Sequence, residues 1–128
     1  MQSQTVRLSV PAEPAYARSV RMMASNLAVV AGMTVDDVED VRMAAEEGFV
    51  YACATEPPSC DVEFTVGEGM MGMDFSLGAR SAEAAADEDV DAFEYATLIL
   101  SAVCDDFHLT DDGSQLALVK SAGVAADA

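Results

Sequence analysis

The residues in this sequence that could do chemistry are mostly acids. Glu46 and Glu47 are neighbours in a run of helical spacing. A carboxylate pair can act as acid and base, but adjacent helical residues diverge by about 100°, so the pair also fits a solvated helix face. Asp105, Asp106, Asp111 and Asp112 crowd one short segment. The D-D-x4-D-D-G pattern lacks the alternating oxygens and terminal Glu of an EF-hand loop, which favours turn chemistry around Gly113. His108 is the one histidine, with no partner apparent along the chain. Cys53, Cys60 and Cys104 are odd in number and form no CxxC pair, so they read as free thiols, not a disulfide framework or a zinc site. Met22, Met23, Met33, Met70, Met71 and Met73 fit core filling or an adaptable partner-binding surface. Arg18 and Arg21, three residues apart on one helix face, gather positive charge and suggest a partner contact.

The elements that must position these residues are legible from periodicity. Thr5 to Val10 alternates as a half-buried strand, with Val6, Leu8 and Val10 on one face. Pro14 suits a first helical turn, and Val20, Met23, Ala24, Leu27 and Ala31 then recur at helical spacing until Gly32. Thr34 followed by Asp36 and Asp37 predicts an N-cap, and Val38, Val41, Ala45, Gly48, Phe49 and Ala52 continue an apolar face until Glu56-Pro57-Pro58-Ser59. Val62, Phe64 and Val66, a Gly67-Glu68-Gly69 turn, then Met71, Met73, Phe75 and Leu77 predict a hairpin. Gly78–Ala86 reads as a loop. Asp87-Glu88-Asp89 opens a third helix with Val90, Phe93, Leu98 and Val103 inward. Phe107–Thr110 and Gln115–Lys120 form a last hairpin, and Ser121–Ala128 a frayed tail. The order β-α-α-β-β-α-β-β, with one apolar stripe per helix, predicts an α+β two-layer sandwich: a mostly antiparallel sheet with three helices on one face.

Composition narrows the function classes. The chain has 128 residues, 52% hydrophobic, which fits a single domain over 1–128 with a core. Its 23 acids against 6 bases give a net charge of −17. A nucleic-acid partner needs a basic stripe and an anionic membrane needs a basic patch, so neither is expected. The charge is uneven: residues 1–33 sum to +2 and residues 34–128 to −19. With no basic-then-apolar leader and no run near the roughly 18 apolar residues of a bilayer span, the expected location is cytoplasmic.

The phrase VRLSVPAEPAYARSVRMMASNLAVVAGMTVDDVEDVRMAAEEGFVYA, with this element order, resembles the small anti-sigma-factor serine kinases of the GHKL ATPase superfamily. The likeness is best over Val6 to Ala54, and Ala96–Lys120 extends it. It implies a histidine kinase-like ATPase fold, a homodimer through the first strand and helix, and a sigma-factor or anti-anti-sigma-like protein partner. Glu47 falls where that family keeps its catalytic glutamate, a general base toward the attacking hydroxyl. Tyr51 falls where the family has the asparagine that holds Mg²⁺, and a phenol is a poor ligand for a small octahedral cation. The first glycine box, D-x-G-x-G, would be Asp74-Phe75-Ser76-Leu77-Gly78 or Leu77-Gly78-Ala79-Arg80-Ser81; the second choice puts Leu77 for the aspartate and Ala79 for a glycine. The second box reads Glu94-Tyr95-Ala96-Thr97, with Glu94 and Ala96 where bare glycines would cradle phosphate.

Electrostatics point the same way. Asp87, Glu88, Asp89 and Asp91 load the N-terminus of the third helix, the end that would otherwise attract phosphate. The leading expectation is a regulatory protein-binding module of the anti-sigma kinase class that has lost nucleotide chemistry, with no cofactor and no metal. The alternatives are an active serine/threonine-protein kinase using ATP and Mg²⁺, and a protein whose acidity is its function, either as an interaction surface or nucleic-acid mimic or as a means of solvation in a high-salt cytoplasm.

Overall fold

The computed structural model of the chain describes residues 2–78, 90–110 and 112–122, with the backbone alone over 90–95. Strand β1 runs Gln4–Val10, and after a 3-10 turn at Pro14–Tyr16 come helices α1, Ala17–Val30, and α2, Val35–Ala54. Strands β2, Cys60–Gly67, and β3, Met70–Ser76, form the central hairpin. Helix α3, Val90–Val103, precedes strands β4, Asp106–Leu109, and β5, Gln115–Ser121. The sheet has five strands in the order β1-β2-β3-β5-β4, and every pairing is antiparallel. The chain is therefore the two-layer α+β sandwich that periodicity predicts.

Side-chain alternation builds the core. One sheet face presents Val62, Phe64 and Val66 of β2, Met71, Met73 and Phe75 of β3, and Leu116 and Leu118 of β5. Val20, Ala24, Leu27 and Ala28 of α1, Val41, Ala45, Phe49 and Ala52 of α2, and Leu100 and Val103 of α3 close over it. The methionines divide: Met33, Met71 and Met73 fill the core, while Met22 is 60% exposed. The opposite sheet face carries Arg7, Ser9, Asp61, Glu63, Asp74 and His108 toward solvent.

Local signals end the helices as the sequence predicts. Gly32 adopts φ +80, and its N–H and that of Met33 donate to the Val29 and Ala28 carbonyls, the paired bonds of a Schellman cap. Thr34 Oγ1 accepts from the Asp37 N–H at 3.2 Å, with Asp36 and Asp37 in the first turn of α2. Two details differ from expectation. Leu98 is 66% exposed, because Ala96, Leu100 and Val103, at i, i+4 and i+7, define the inward face of α3. Ser121 belongs to β5, its N–H donating to Asp105 Oδ2 at 2.7 Å, so the tail begins later than predicted. The predicted loop from Ala79 to Ala86, the Asp87-Glu88-Asp89 cluster, and residues 123–128 of the tail lie outside the described residues, as does Asp111.

Candidate functional site

The residues singled out in α2 lie on different sides of the helix. Glu47 is half-buried, and desolvation, then the neighbouring Glu46 charge, pushes its carboxyl above the ordinary glutamate range. Glu46 faces α1 and ion-pairs with Arg21. Tyr51 is 7% exposed, a member of the core cluster. Leu77 donates its N–H to the Ser114 carbonyl at 2.9 Å, joining the end of β3 to the β4–β5 turn. Ala96 is buried in α3. Ala79 and the Glu94 side chain lie outside the described residues.

The segment following α2 closes tightly on the end of β3. A Cβ placed on Gly78 would lie 2.1 Å from the Thr55 carbonyl oxygen and 2.4 Å from the Pro57 nitrogen. The Gly78 N–H donates to Thr55 Oγ1 at 2.8 Å, while that hydroxyl donates to the Ala52 carbonyl at 2.6 Å. Glu56 sits at φ 56, a left-handed conformation unusual for a residue with a side chain. Between the two layers, a Cβ on Gly48 of α2 would lie 2.6 Å from the Phe75 ring, so α2 approaches β3 closely there.

The thiols offer no ready nucleophile. Burial pushes Cys60 up to about 12 and Cys104 up to about 11, and raises Cys53 as well. Asp112 makes turn bonds: its Oδ1 accepts from Thr110 Oγ1, the Ser114 N–H and Ser114 Oγ, and these hold its carboxyl below the usual range. His108 does have a neighbour, since the pleat places Asp106 two residues away on its face with Oδ2 3.4 Å from Nδ1. Among the described residues no group of three or more His, Cys, Asp or Glu is placed to hold a metal ion.

Among the described residues lie two surface hollows. One, of about 410 Å³, lies on the open sheet face among Arg7, Ser9, Asp61, Glu63, Asp74 and Ser76. Glu63 and Asp74 are direct cross-strand partners, and Arg7 Nε reaches Glu63 Oε2 at 3.1 Å. Asp74 is raised, first by desolvation and then by Glu63, with His108 opposing. Arg7 neutralises Glu63 on this face, while Asp74 faces Glu63 at a like-charge contact.

The other hollow, of about 450 Å³, lies on the outer side of the helical layer and is lined by Arg18, Arg21, Met22, Ser25 and Arg42. It gathers three of the six cations of a chain with net charge −17. Arg21 pairs with Glu46, Arg42 pairs with Glu39, and among the described residues Arg18 makes no ion pair. Met22 and Val29, 60% and 64% exposed, extend an apolar stripe along α1. The sequence places Arg18 and Arg21 on a common face. Arg42 lies among acids along the chain, and only the packing of α2 on α1 brings it to them.

No protein-family model matches the chain, and no curated protein matches it. No described helix is long and apolar enough to cross a membrane.

Proposed function

We propose that the protein is a regulatory protein-binding module of the anti-sigma-factor kinase class that works without nucleotide chemistry. The observation that carries this reading is the arginine hollow, a concentration of cations beside exposed apolar side chains on an otherwise acidic molecule. A solvated surface of an acidic chain has no need to bring three arginines together, whereas a protein contact uses arginine and methionine readily. The position of Tyr51 supports the loss of nucleotide chemistry: its ring packs into the core where the resemblance asks for a Mg²⁺ ligand. In this reading the partner is a protein, a sigma factor or an anti-anti-sigma-like protein, and the module is a homodimer.

Calorimetric titration with Mg-ATP and Mg-ADP tests the proposal. No binding heat is expected, and low-micromolar, Mg²⁺-dependent binding of either nucleotide would sink the reading. One observation favours a second reading, an active ATP-dependent serine kinase. Glu47 is half-buried with a raised carboxyl, the direction that suits a proton acceptor near neutral pH. That reading predicts phosphate transfer to a small partner protein, with transfer lost in Glu47→Ala.

A further inference from the structure

Two of the three arginines that line the hollow are already paired with the protein's own carboxylates. Arg21 reaches across from α1 to Glu46 of α2, and Arg42 pairs with Glu39 one turn away on its own helix. The Arg42–Glu39 pair is exposed and so weak and exchangeable, whereas the Arg21–Glu46 pair is half-buried and still open to solvent. Arg18 supplies a third guanidinium with no intramolecular ion pair among the described residues. Ser25 Oγ lines the same hollow while donating to the Arg21 carbonyl at 2.8 Å.

We propose that Glu39 and Glu46 are built-in competitors at this hollow, holding Arg42 and Arg21 until the carboxylates of an acidic, amphipathic helix of a partner protein displace them. The inference rests on the protein-binding reading above and adds the chemistry of the partner and the means by which its affinity is limited.

Three features select that occupant. The cations demand an anion, and guanidinium groups favour carboxylates through paired N–H donors. Arg18, Met22, Ser25 and Val29 follow one another at i, i+4, i+7 and i+11 along α1, a ridge against which a second helix can lie with apolar contacts at Met22 and Val29. A two-fold contact between copies of this chain through this face sets arginines against arginines, so the homodimer of the reading above places its interface elsewhere. The displacement costs little at the exposed Arg42–Glu39 pair and more at the half-buried Arg21–Glu46 pair.

The test is a two-dimensional ¹H–¹⁵N titration of the full chain at low salt, with a synthetic helical peptide carrying Glu and Leu at i, i+4 and i+7 spacing, and with its Glu→Gln counterpart. The Glu peptide should shift the side-chain N–H signals of Arg18, Arg21 and Arg42 and the α1 amides, and the Gln peptide should not. The double variant Glu39→Gln with Glu46→Gln should bind the Glu peptide about three- to tenfold tighter, the range expected for removing two competing pairs. Arg18→Glu with Arg42→Glu should abolish binding, and Arg18→Gln alone, at a side chain without an intramolecular ion pair, should weaken it. Unchanged affinity in the Glu39→Gln and Glu46→Gln variant overturns the competition while leaving the docking reading intact. Shifts confined to other surfaces, equal binding of the Gln peptide, or no shifts in any variant overturn the docking reading as well.

Discussion

The two flanks of α2 differ in how much change they can accept. Toward the sheet, Gly48, Phe49, Tyr51 and Ala52 pack in the core, and beyond the helix Thr55 to Pro57 lie hard against Gly78. Toward solvent, Glu39, Arg42 and Glu46 hold ionic contacts that are exposed or half-buried beside α1. The inner flank is fixed by close-packed atoms, where one added methyl has nowhere to go. On the outer flank the exposed Arg42–Glu39 pair can change partners at small cost. The docking proposed above therefore falls on the outer flank, and the inner flank holds the two layers in register.

The largest expected effect breaks the inner flank at its tightest point. Gly78→Ala puts a Cβ into the backbone of Thr55 to Pro57 and should cost about 3 kcal/mol or more, because backbone cannot step aside as a side chain can. Urea denaturation checks this, and a midpoint equal to that of the parent would show that the segment yields. Gly48→Ala presses instead on the Phe75 ring and a Leu118 methyl. Overpacking of about 1–3 kcal/mol is offset by up to about 1 kcal/mol of improved helix propensity, so a net loss of about 1–2 kcal/mol is expected. A stabilised variant would mean that the ring has room to move.

The smallest effect lies on the solvent-facing sheet surface. Asp74, held above the ordinary aspartate range by desolvation and by Glu63 opposite, is penalised in its ionised form when the chain folds. The sign follows from linkage: the native state holds this proton more tightly than the unfolded chain. The penalty is absent below the unfolded aspartate value, grows as pH rises, and is complete above the raised native value. Asp74→Asn should therefore stabilise at neutral pH by about 0.2–1 kcal/mol, the usual scale of a cross-strand pair, and leave acid stability unchanged. Melting curves at acidic and neutral pH check it, and a variant less stable at neutral pH would contradict it.

Much of the fold is legible along the chain. Both strands of the central hairpin follow from period-two alternation, and α2 follows from the Thr34 cap, the first-turn acids and the Pro57-Pro58 stop. Leu98 shows where the pattern falls short: α3 is apolar on several sides, so periodicity alone does not choose the buried face. Of the candidate site, Arg18 and Arg21 were legible as neighbours one turn apart. Arg42 and the exposure of Met22 were not, since both depend on which face of α1 meets α2.

By itself, the sequence determined the element types, their order, the antiparallel hairpins and the uneven charge, all of which arise from spacing within a few residues. The tertiary structure alone decided that Arg42 joins Arg18 and Arg21, that Glu46 neutralises Arg21 across 25 residues of chain, and that Gly78 must carry no side chain. Those contacts form between helices and between a strand end and a distant turn, where burial of the apolar faces sets the geometry and residue spacing carries no record of it.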